Sequence, residues 1–199
     1  MRAAVRNAIL AAAIALAGAS AAQAQFSNVY NFFQAVKERD VLKAKGMLDK
    51  PGSTVADQRD PQTGGTALHL VTRGRDIAWM NFLMGYGASP NARDRDGNTP
   101  LHIAAQLGFG DGILVLTACG ADANAANSRG ETPLIIAVQM HDGESVRTLL
   151  EAGANPAQPD HVTGKTARDY ASADRRDAAI LKLIEQVKPR AAKSVTGPR

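Results

Sequence analysis

The sequence is poor in cysteine, in aromatic residues and in long apolar runs. One cysteine, Cys119, stands among 199 residues, so no internal disulfide can form and packing must stabilise the fold. Aromatic residues make up 5% of the chain, with Trp79 the one tryptophan. There is no paired-cysteine motif, no H-E-x-x-H and no nucleophile elbow. These absences favour a protein that binds over one that catalyses.

Cys119 allows two interpretations. The favoured one is a small, partly buried filler, because no Lys, Arg or His stands beside it in the sequence to activate the thiol. The alternative is a thiol that reacts or pairs with another chain, which would make the protein a thiol-based redox factor.

Residues 1–24 have the composition of a cleavable export signal. Two arginines open the segment, an apolar stretch covers residues 8–17, and Ala-Gln-Ala stands at residues 22–24. The apolar stretch is far shorter than the roughly 20 residues that cross a bilayer, which argues against an uncleaved anchor; a buried core helix is the other alternative. We expect cleavage before Gln25. The alanine-rich leader resembles bacterial export signals, which makes the periplasm the expected location.

Removal of this leader leaves little net charge. Arg2 and Arg6 leave with it, so 21 of the 23 basic residues remain against 19 acidic ones. So small a surplus predicts no nucleic-acid partner. Residues 189–199 are basic, contain two prolines and lack apolar periodicity, which predicts a disordered tail. An arm that touches anionic lipid is the weaker alternative.

A short motif recurs four times at intervals of 33, 33 and 34 residues. Its copies read "GGTALHLVTRG", "GNTPLHIAAQLG", "GETPLIIAVQM" and "GKTARDYASA". The threonines that mark them are Thr66, Thr99, Thr132 and Thr166. A Gly-Ala segment follows three of the copies at the same interval. A period of this length is typical of a repeat architecture in which each unit stacks on the next.

The letters of the motif describe a short helix with defined ends. The hydroxyl of Thr99 can accept from the free N–H groups of the helix that follows, and Pro100 suits the first helical position. Gly108 can take the left-handed conformation that ends a helix, and Asp96-Gly97 is typical of a hairpin tip. The sequence therefore predicts units of two helices and a turned loop, which bury their apolar faces by stacking.

This pattern resembles the ankyrin-repeat family, and in particular stand-alone exported bacterial members, over roughly residues 61–187. The resemblance implies an all-α solenoid of about five helix pairs, with hairpin-like loops and divergent capping repeats at both ends. The expected units are an N-terminal capping repeat at residues 25–60, ankyrin repeats at 61–93, 94–126 and 127–159, and a C-terminal capping repeat at 160–188.

The two outer units are predicted from apolar spacing. In the N-terminal unit, Asp40 is placed to cap a second helix. The apolar residues around it are Phe32, Phe33 and Val36 on one face and Val41, Ala44, Met47 and Leu48 on another. In the C-terminal unit a helical spacing of apolar residues is formed by Ile180, Leu183, Ile184 and Val187. Arg168 replaces the leucine of the other copies, as suits a terminal repeat with a polar outer face.

Two of the four histidines share one register and two fall in loops. His69 and His102 lie one period apart, and packed helices are about 8–10 Å apart. At that separation two imidazoles are poorly placed to share one zinc ion, since each nitrogen must lie about 2.1 Å from it. The resemblance implies that these histidines form hydrogen bonds within and between repeats. We expect His141 and His161 to be solvated; His141 stands where Gly108 stood one repeat earlier, which predicts an irregular helix end.

Gly110 and Gly112 open the second helix of the 94–126 unit, where an interior glycine costs up to about 1 kcal/mol relative to alanine. A nucleotide-binding loop is disfavoured because no strand precedes it and no G-x-G-x-x-G pattern is present. Trp79 stands one period before Gly112. We expect its side chain to fill the space that this glycine leaves.

The resemblance implies a partner-binding concave surface, made of hairpin tips and of the last residues of the first helices. The residues at these positions are Arg73, Arg95, Asp96, Asn98, Gln106, Leu107, Arg129, Glu131, Gln139, Met140, His161 and Lys165, together with Gln62 and Ser128. Both signs of charge and two apolar centres occur in this set, which suits a protein partner. The alternative is a set of ordinary solvated side chains.

The sequence therefore predicts a non-catalytic, monomeric protein that binds another protein, with no cofactor, no metal, no nucleic acid and no stable membrane insertion. The resemblance covers adaptors, immunity partners of toxins and oxidative-stress-protective factors. Two alternatives remain: a redox protein that uses Cys119, and a purely structural module of an envelope complex.

Overall fold

The computed structural model describes residues 28–186, and this part of the chain forms helices and loops without a strand. Its α-helices are α1 (28–37), α2 (Val41–Leu48), α3 (Ala67–Arg73), α4 (Ile77–Gly85), α5 (Pro100–Gln106), α6 (Gly110–Ala118), α7 (Pro133–Gln139), α8 (Gly143–Glu151), α9 (Ala167–Ala173) and α10 (Ala178–Gln186). Short 3₁₀ helices cover Val55–Asp57 and Arg175–Asp177. The predicted all-α solenoid of five helix pairs is confirmed.

The predicted leader, residues 1–24, and the predicted tail, residues 189–199, lie outside the described residues. Within residues 28–186, no helix is both long and apolar enough to span a bilayer. The unit boundaries predicted from the repeat period stay predictions, although each of the five predicted units contains one helix pair.

The helix pairs stack in chain order. Contacts link the first helices in the order α3, α5, α7 and α9, and the second helices in the order α4, α6, α8 and α10. Buried apolar side chains from all five pairs join in one cluster. Fully buried alanines such as Ala104 and Ala137 lie in the first helices, where small side chains let neighbouring helices approach closely. Each unit therefore buries its apolar face against its neighbours rather than alone.

The threonines of the motif begin the first helices as predicted. Thr66, Thr99, Thr132 and Thr166 are the N-cap residues of α3, α5, α7 and α9. The hydroxyl of Thr132 accepts from the backbone N–H of Ile135 at 3.3 Å. Pro100 and Pro133 occupy the first position of their helices, where a missing N–H costs nothing.

The first helices of the first four pairs are followed by a residue in the left-handed conformation, whether or not it is glycine. Gly108 has φ 58°, and the residues one period before and after it, Arg75 and His141, have φ 53° and 56°. The predicted irregular end at His141 is therefore wrong. The stack fixes the position of the following helix, so the backbone adopts the strained conformation even without glycine.

The N-terminal pair follows the predicted pattern with one exception. The carboxylate of Asp40 accepts from the backbone N–H of Lys43 at 3.0 Å and caps α2. The buried apolar residues of this pair include Phe32, Phe33, Val36 and Ala44. Val41, the first residue of α2, was placed on one face with Ala44, but it is 46% exposed whereas Ala44 is buried.

The C-terminal pair closes the other end of the stack. Ile180 and Ile184 are buried and Leu183 is partly buried, as the helical spacing predicts; Val187 lies outside the described residues. Arg168 is exposed, and its guanidinium lies 3.1 Å from the carboxylate of Glu185 on the neighbouring helix. The polar residue at this register therefore faces outward, as expected of a terminal repeat.

The space beside Gly112 is filled by Phe109 and not by Trp79. The three heavy atoms closest to a Cβ at Gly112 all belong to Phe109, the nearest at 2.3 Å. Phe109 is the N-cap residue of α6, so its ring folds over the first turn of its own helix. Trp79 is buried and packs edge-on against Phe82, with ring centroids 5.1 Å apart. A residue three positions away fills the space, which comparison between repeats did not reveal.

Candidate protein-binding groove

The loops between units form a row of hairpins that are joined by backbone hydrogen bonds. The N–H of Arg95 donates to the carbonyl of Thr63 at 3.3 Å, and the N–H of Ser128 donates to that of Asp96 at 3.0 Å. The same bond follows one unit later, from His161 to Arg129 at 2.9 Å. The hairpin tips therefore lie side by side at a fixed spacing along one side of the stack.

His69 and His102 connect each first helix to the next hairpin. The N–H of Thr99 donates to Nδ1 of His102 at 3.1 Å, so Nε2 carries the proton and donates to the carbonyl of Glu131 at 3.0 Å. His69 forms the same bonds with Thr66 and Asn98. Burial lowers the pKa of both rings, and that of His102 to about 4. Both rings are therefore neutral braces, and the predicted structural role is confirmed.

A groove of about 450 Å³ lies between the hairpin tips and the ends of the first helices. Side chains from three consecutive units line it: Arg73, Asp94, Arg95, Asp96, Asn98, Ile103, Gln106, Asn127, Ser128, Arg129, Ile136, Gln139 and Met140. Met140 is 48% exposed, whereas Ile103 and Ile136 are buried. The groove thus has an apolar floor with a polar and charged border.

Most of the predicted concave residues lie together in this groove. Those that line it are Arg73, Arg95, Asp96, Asn98, Gln106, Arg129, Gln139 and Met140, with Ser128. The predicted residues that do not line it are Gln62, Leu107, Glu131, His161 and Lys165. His161 and Lys165 are exposed in the last unit, where the ammonium of Lys165 lies 5.7 Å from the ring centroid of Tyr170.

Two of the predicted residues serve the fold beneath the groove. Leu107 is partly buried and packs against the core. Glu131 is only 9% exposed, and its carboxylate accepts hydrogen bonds from Asn127 at 3.1 Å and Arg129 at 2.9 Å. A third bond comes from Gln139 at 3.4 Å. Glu131 therefore orients groove side chains rather than facing the groove itself.

Four lining residues were missed from the sequence, although the repeat register contains them. Ile103 and Ile136 follow the capping threonines by four residues, and Asp94 and Asn127 begin successive hairpins. Each pair is 33 residues apart. The carboxylate of Asp94 accepts from the N–H of Asn98 at 2.8 Å and so shapes the hairpin. The recurrence of these positions was the available signal.

The arginines of the groove differ in how their charge is compensated. The guanidinium of Arg129 lies 2.7 Å from the carboxylate of Glu131, which neutralises it. The guanidinium of Arg95 reaches back to the preceding hairpin, where it donates to the carbonyls of Pro61 and Gln62. These carbonyls are neutral, so the positive charge of Arg95 stays uncompensated.

Two charged side chains of the groove have no partner within the described part of the chain. No hydrogen bond or ion pair engages the guanidinium of Arg73 at the end of α3, or the carboxylate of Asp96 at a hairpin tip. Both residues are exposed. They therefore offer charge to a binding partner without the loss of an internal contact.

His141 joins the fourth unit to the C-terminal unit and is not a free loop residue. Its Nδ1 lies 2.9 Å from the carboxylate of Asp177, which is buried. Its Nε2 lies 3.1 Å from the guanidinium of Arg176, which also binds Asp174. The two carboxylates and the imidazole lie within reach of one metal ion, but the guanidinium of Arg176 already supplies the positive charge there. The side chain is 38% exposed, so it is partly solvated as expected, but these two contacts hold it in place.

Cys119 is exposed and free at the C-terminal end of α6. The predicted role as a partly buried filler is therefore wrong. The last buried apolar residue of this helix is Leu116, and Cys119 follows it where the chain turns outward.

Comparison with known proteins agrees with the geometry. The family model described as ankyrin repeats (3 copies) matches residues 32–127 and 109–192. The chain is 30% identical over 83 residues to Oxysterol-binding protein homolog 1 of Saccharomyces cerevisiae, which covers 40% of this chain and 7% of that protein. It is 46% identical over 43 residues to a protein of Pyrobaculum aerophilum described as an ankyrin repeat protein. That match covers 22% of this chain and 16% of the other protein.

The chain therefore spans less than a fifth of the length of either relative. Ankyrin repeats generally mediate protein–protein interaction and are generally non-catalytic. The repeat register, the stacked helix pairs and the family match agree, and the chain belongs to the ankyrin-repeat family.

Proposed function

We propose that this chain is a non-catalytic binding module that recognises a protein partner through the groove. The observation that carries the proposal is the composition of the groove. Three consecutive units supply charged and amide side chains around an apolar floor, with Met140 half exposed at its border. Protein interfaces combine an apolar centre with a polar border in this way. The exposed polar groups can bond the main chain and the side chains of a partner.

Site-specific photo-crosslinking in the organism that encodes the chain tests this proposal. A photoreactive residue at Gln106, in the groove, is expected to trap a protein partner. The same residue at Arg147, which is exposed on α8 outside the groove, serves as the control. Trapping at both positions, or at Arg147 alone, would argue against the groove as the binding site.

A matched pair of substitutions separates recognition from general stickiness. Met140 in the groove and Leu114 on α6 have similar exposure, 48% and 55%. Met140→Asp is expected to abolish crosslinking from Gln106, whereas Leu114→Asp leaves it unchanged. Leu107→Asp is a poorer test because Leu107 packs against the core and its replacement would destabilise the fold.

We also propose that the module works in the periplasm after removal of residues 1–24. The support is the charged opening, the short apolar stretch and the Ala-Gln-Ala site of that segment. Mass spectrometry of the chain expressed in a Gram-negative host should give a product that begins at Gln25 in the periplasmic fraction. A product that keeps Met1 in the cytoplasm would contradict this proposal.

Among the roles open to such a module are an adaptor, an immunity partner of a toxin and an oxidative-stress-protective factor, and the identity of the trapped partner decides between them. The exposed thiol of Cys119 supports a redox function as a second candidate. Cys119→Ser should retain the partner if the groove alone carries the function. Loss of cellular activity in Cys119→Ser with intact binding would favour the redox function.

A further inference from the structure

We infer that the N-terminal end of the groove binds a carboxylate, so that the partner presents an extended acidic segment there. This inference rests on the proposed function and specifies its partner. The N-terminal end is the part of the groove over the 61–93 unit, and two guanidinium groups define it: that of Arg73 and that of Arg95.

The side chain of Arg95 belongs to one unit and lies over the unit before it. Its guanidinium donates to the carbonyls of Pro61 and Gln62, and its Cγ would lie 2.6 Å from a Cβ at Gly64. Gly64 has φ 69° and leaves room for this approach. The positive charge of Arg95 is therefore held at the N-terminal end of the groove.

Arg73 contributes a second positive charge to the same unit. It is the last residue of α3, its guanidinium has no partner in the described chain, and it is exposed. Planar guanidinium groups bind carboxylates with two parallel hydrogen bonds, which a free Arg73 can supply. A carboxylate at this end would meet one free guanidinium and one uncompensated charge.

The opposite sign appears one unit later. Asp94 and Asp96 flank the groove over the 94–126 unit, where the carboxylate of Asp96 has no partner. The unpaired charge of the groove is therefore positive at Arg73 and negative at Asp96 of the next unit, and the Arg129–Glu131 pair that follows is neutral in sum. An acidic residue is favoured at the first unit and repelled at the second, which fixes the direction of a bound segment.

The floor of the groove suits a segment rather than a free anion. Ile103 and Ile136 supply apolar contact beneath, and the amides of Gln106 and Gln139 stand at equal positions of successive helices. Amide side chains can both donate to and accept from an extended main chain. The combination favours an acidic peptide over inorganic phosphate or a lipid headgroup.

A random peptide library displayed on phage tests the inference. Peptides are selected on the folded wild-type protein and tested on four variants: Arg73→Glu, Asp96→Lys, Met140→Asp and Arg147→Glu. Wild-type selections should be enriched in Asp and Glu, and Arg73→Glu should weaken the selected peptides at least about tenfold. Arg147→Glu, an equal charge reversal outside the groove, should leave their binding unchanged. Asp96→Lys should retain them and accept additional acidic residues.

The outcomes separate this inference from the proposed function. Peptides that require Met140 but carry no acidic residue, or that bind Arg73→Glu equally well, overturn the inference and leave groove binding intact. If no selected peptide depends on Arg73 or on Met140 while a partner is still crosslinked at Gln106, the inference is again wrong and the proposed function stands. Absence of both groove-dependent peptides and crosslinks overturns both.

Discussion

The buried ring of His102 should make the stability of this protein depend on pH. In the folded chain the ring is 1% exposed and neutral, and burial lowers its pKa from 6.5 to about 4. The unfolded chain therefore binds a proton on this residue at a higher pH than the folded chain does. Stability from this group is fully present above about pH 6.5 and is lost as the pH falls towards 4.

The size of the effect follows from the two pKa values. Their difference corresponds to about 3 kcal/mol of unfolding free energy below pH 4, most of which is already lost at pH 4.5. Burial lowers the pKa of His69 as well, so its contribution has the same sign. Carboxylates also titrate in this range, so the wild-type curve alone does not isolate the histidine.

His102→Ile isolates it, because Ile135 occupies the same register one unit later and Thr132 still caps that helix. At pH 7.5 the variant should be less stable by about 1–3 kcal/mol, since the carbonyl of Glu131 loses its donor. In urea titrations at pH 4.5, the wild type should lose about 2–3 kcal/mol relative to the variant, so the difference seen at pH 7.5 disappears or changes sign. An equal difference at both pH values, or an NMR titration of His102 near pH 6.5, would refute the reasoning.

Four further substitutions test the packing. Gly130→Ala would place a Cβ 2.3 Å from the backbone of the next hairpin and should cost about 3 kcal/mol in urea titrations; Gly164→Ala, with similar φ and open space, should cost only about 1 kcal/mol. Equal losses would contradict the hairpin contact. Trp79→Ala should cost about 3–5 kcal/mol, and a loss below 1 kcal/mol would contradict its burial. His141→Ala leaves the buried carboxylate of Asp177 without its imidazole partner and should lower the unfolding free energy by about 2 kcal/mol. Relative to the wild type, hydrogen exchange should become faster in α10 and stay unchanged in α5.

The fold was predictable because its determinants are local and repeated. Thr99, Pro100 and Gly108 define one helix by their own chemistry, and the same positions recur at a fixed interval. The braces His69 and His102 were predictable through the family resemblance, since their partners lie 29 residues away in the sequence. The repeat register carried this information even where single residues did not.

The failures have a shared physical cause. Two contacts were missed: that of Phe109 with Gly112 and that of the Asp177 carboxylate with His141. Both depend on which of several nearby side chains occupies a given space, and the repeat period does not contain that information. Comparison of equivalent positions assumes that neighbouring units exchange like contacts, and it fails where a unit fills its own space or meets a capping unit with a different sequence. Cys119 was misplaced because apolar spacing does not show where a helix leaves the core.

The candidate site follows from the same division between positions that hold the stack together and positions that do not. Glu131 stands among the predicted surface residues, yet its carboxylate is buried and already satisfied by three donors. Arg73 and Asp96 stand in the same set and have no internal partner. A binding partner gains most affinity from charged groups that have no internal hydrogen bonds or ion pairs to lose. Burying a charged group after breaking such internal contacts is costly. Specificity in this groove should therefore depend on Arg73 and Asp96, whereas substitution of Glu131 should act through the orientation of Arg129.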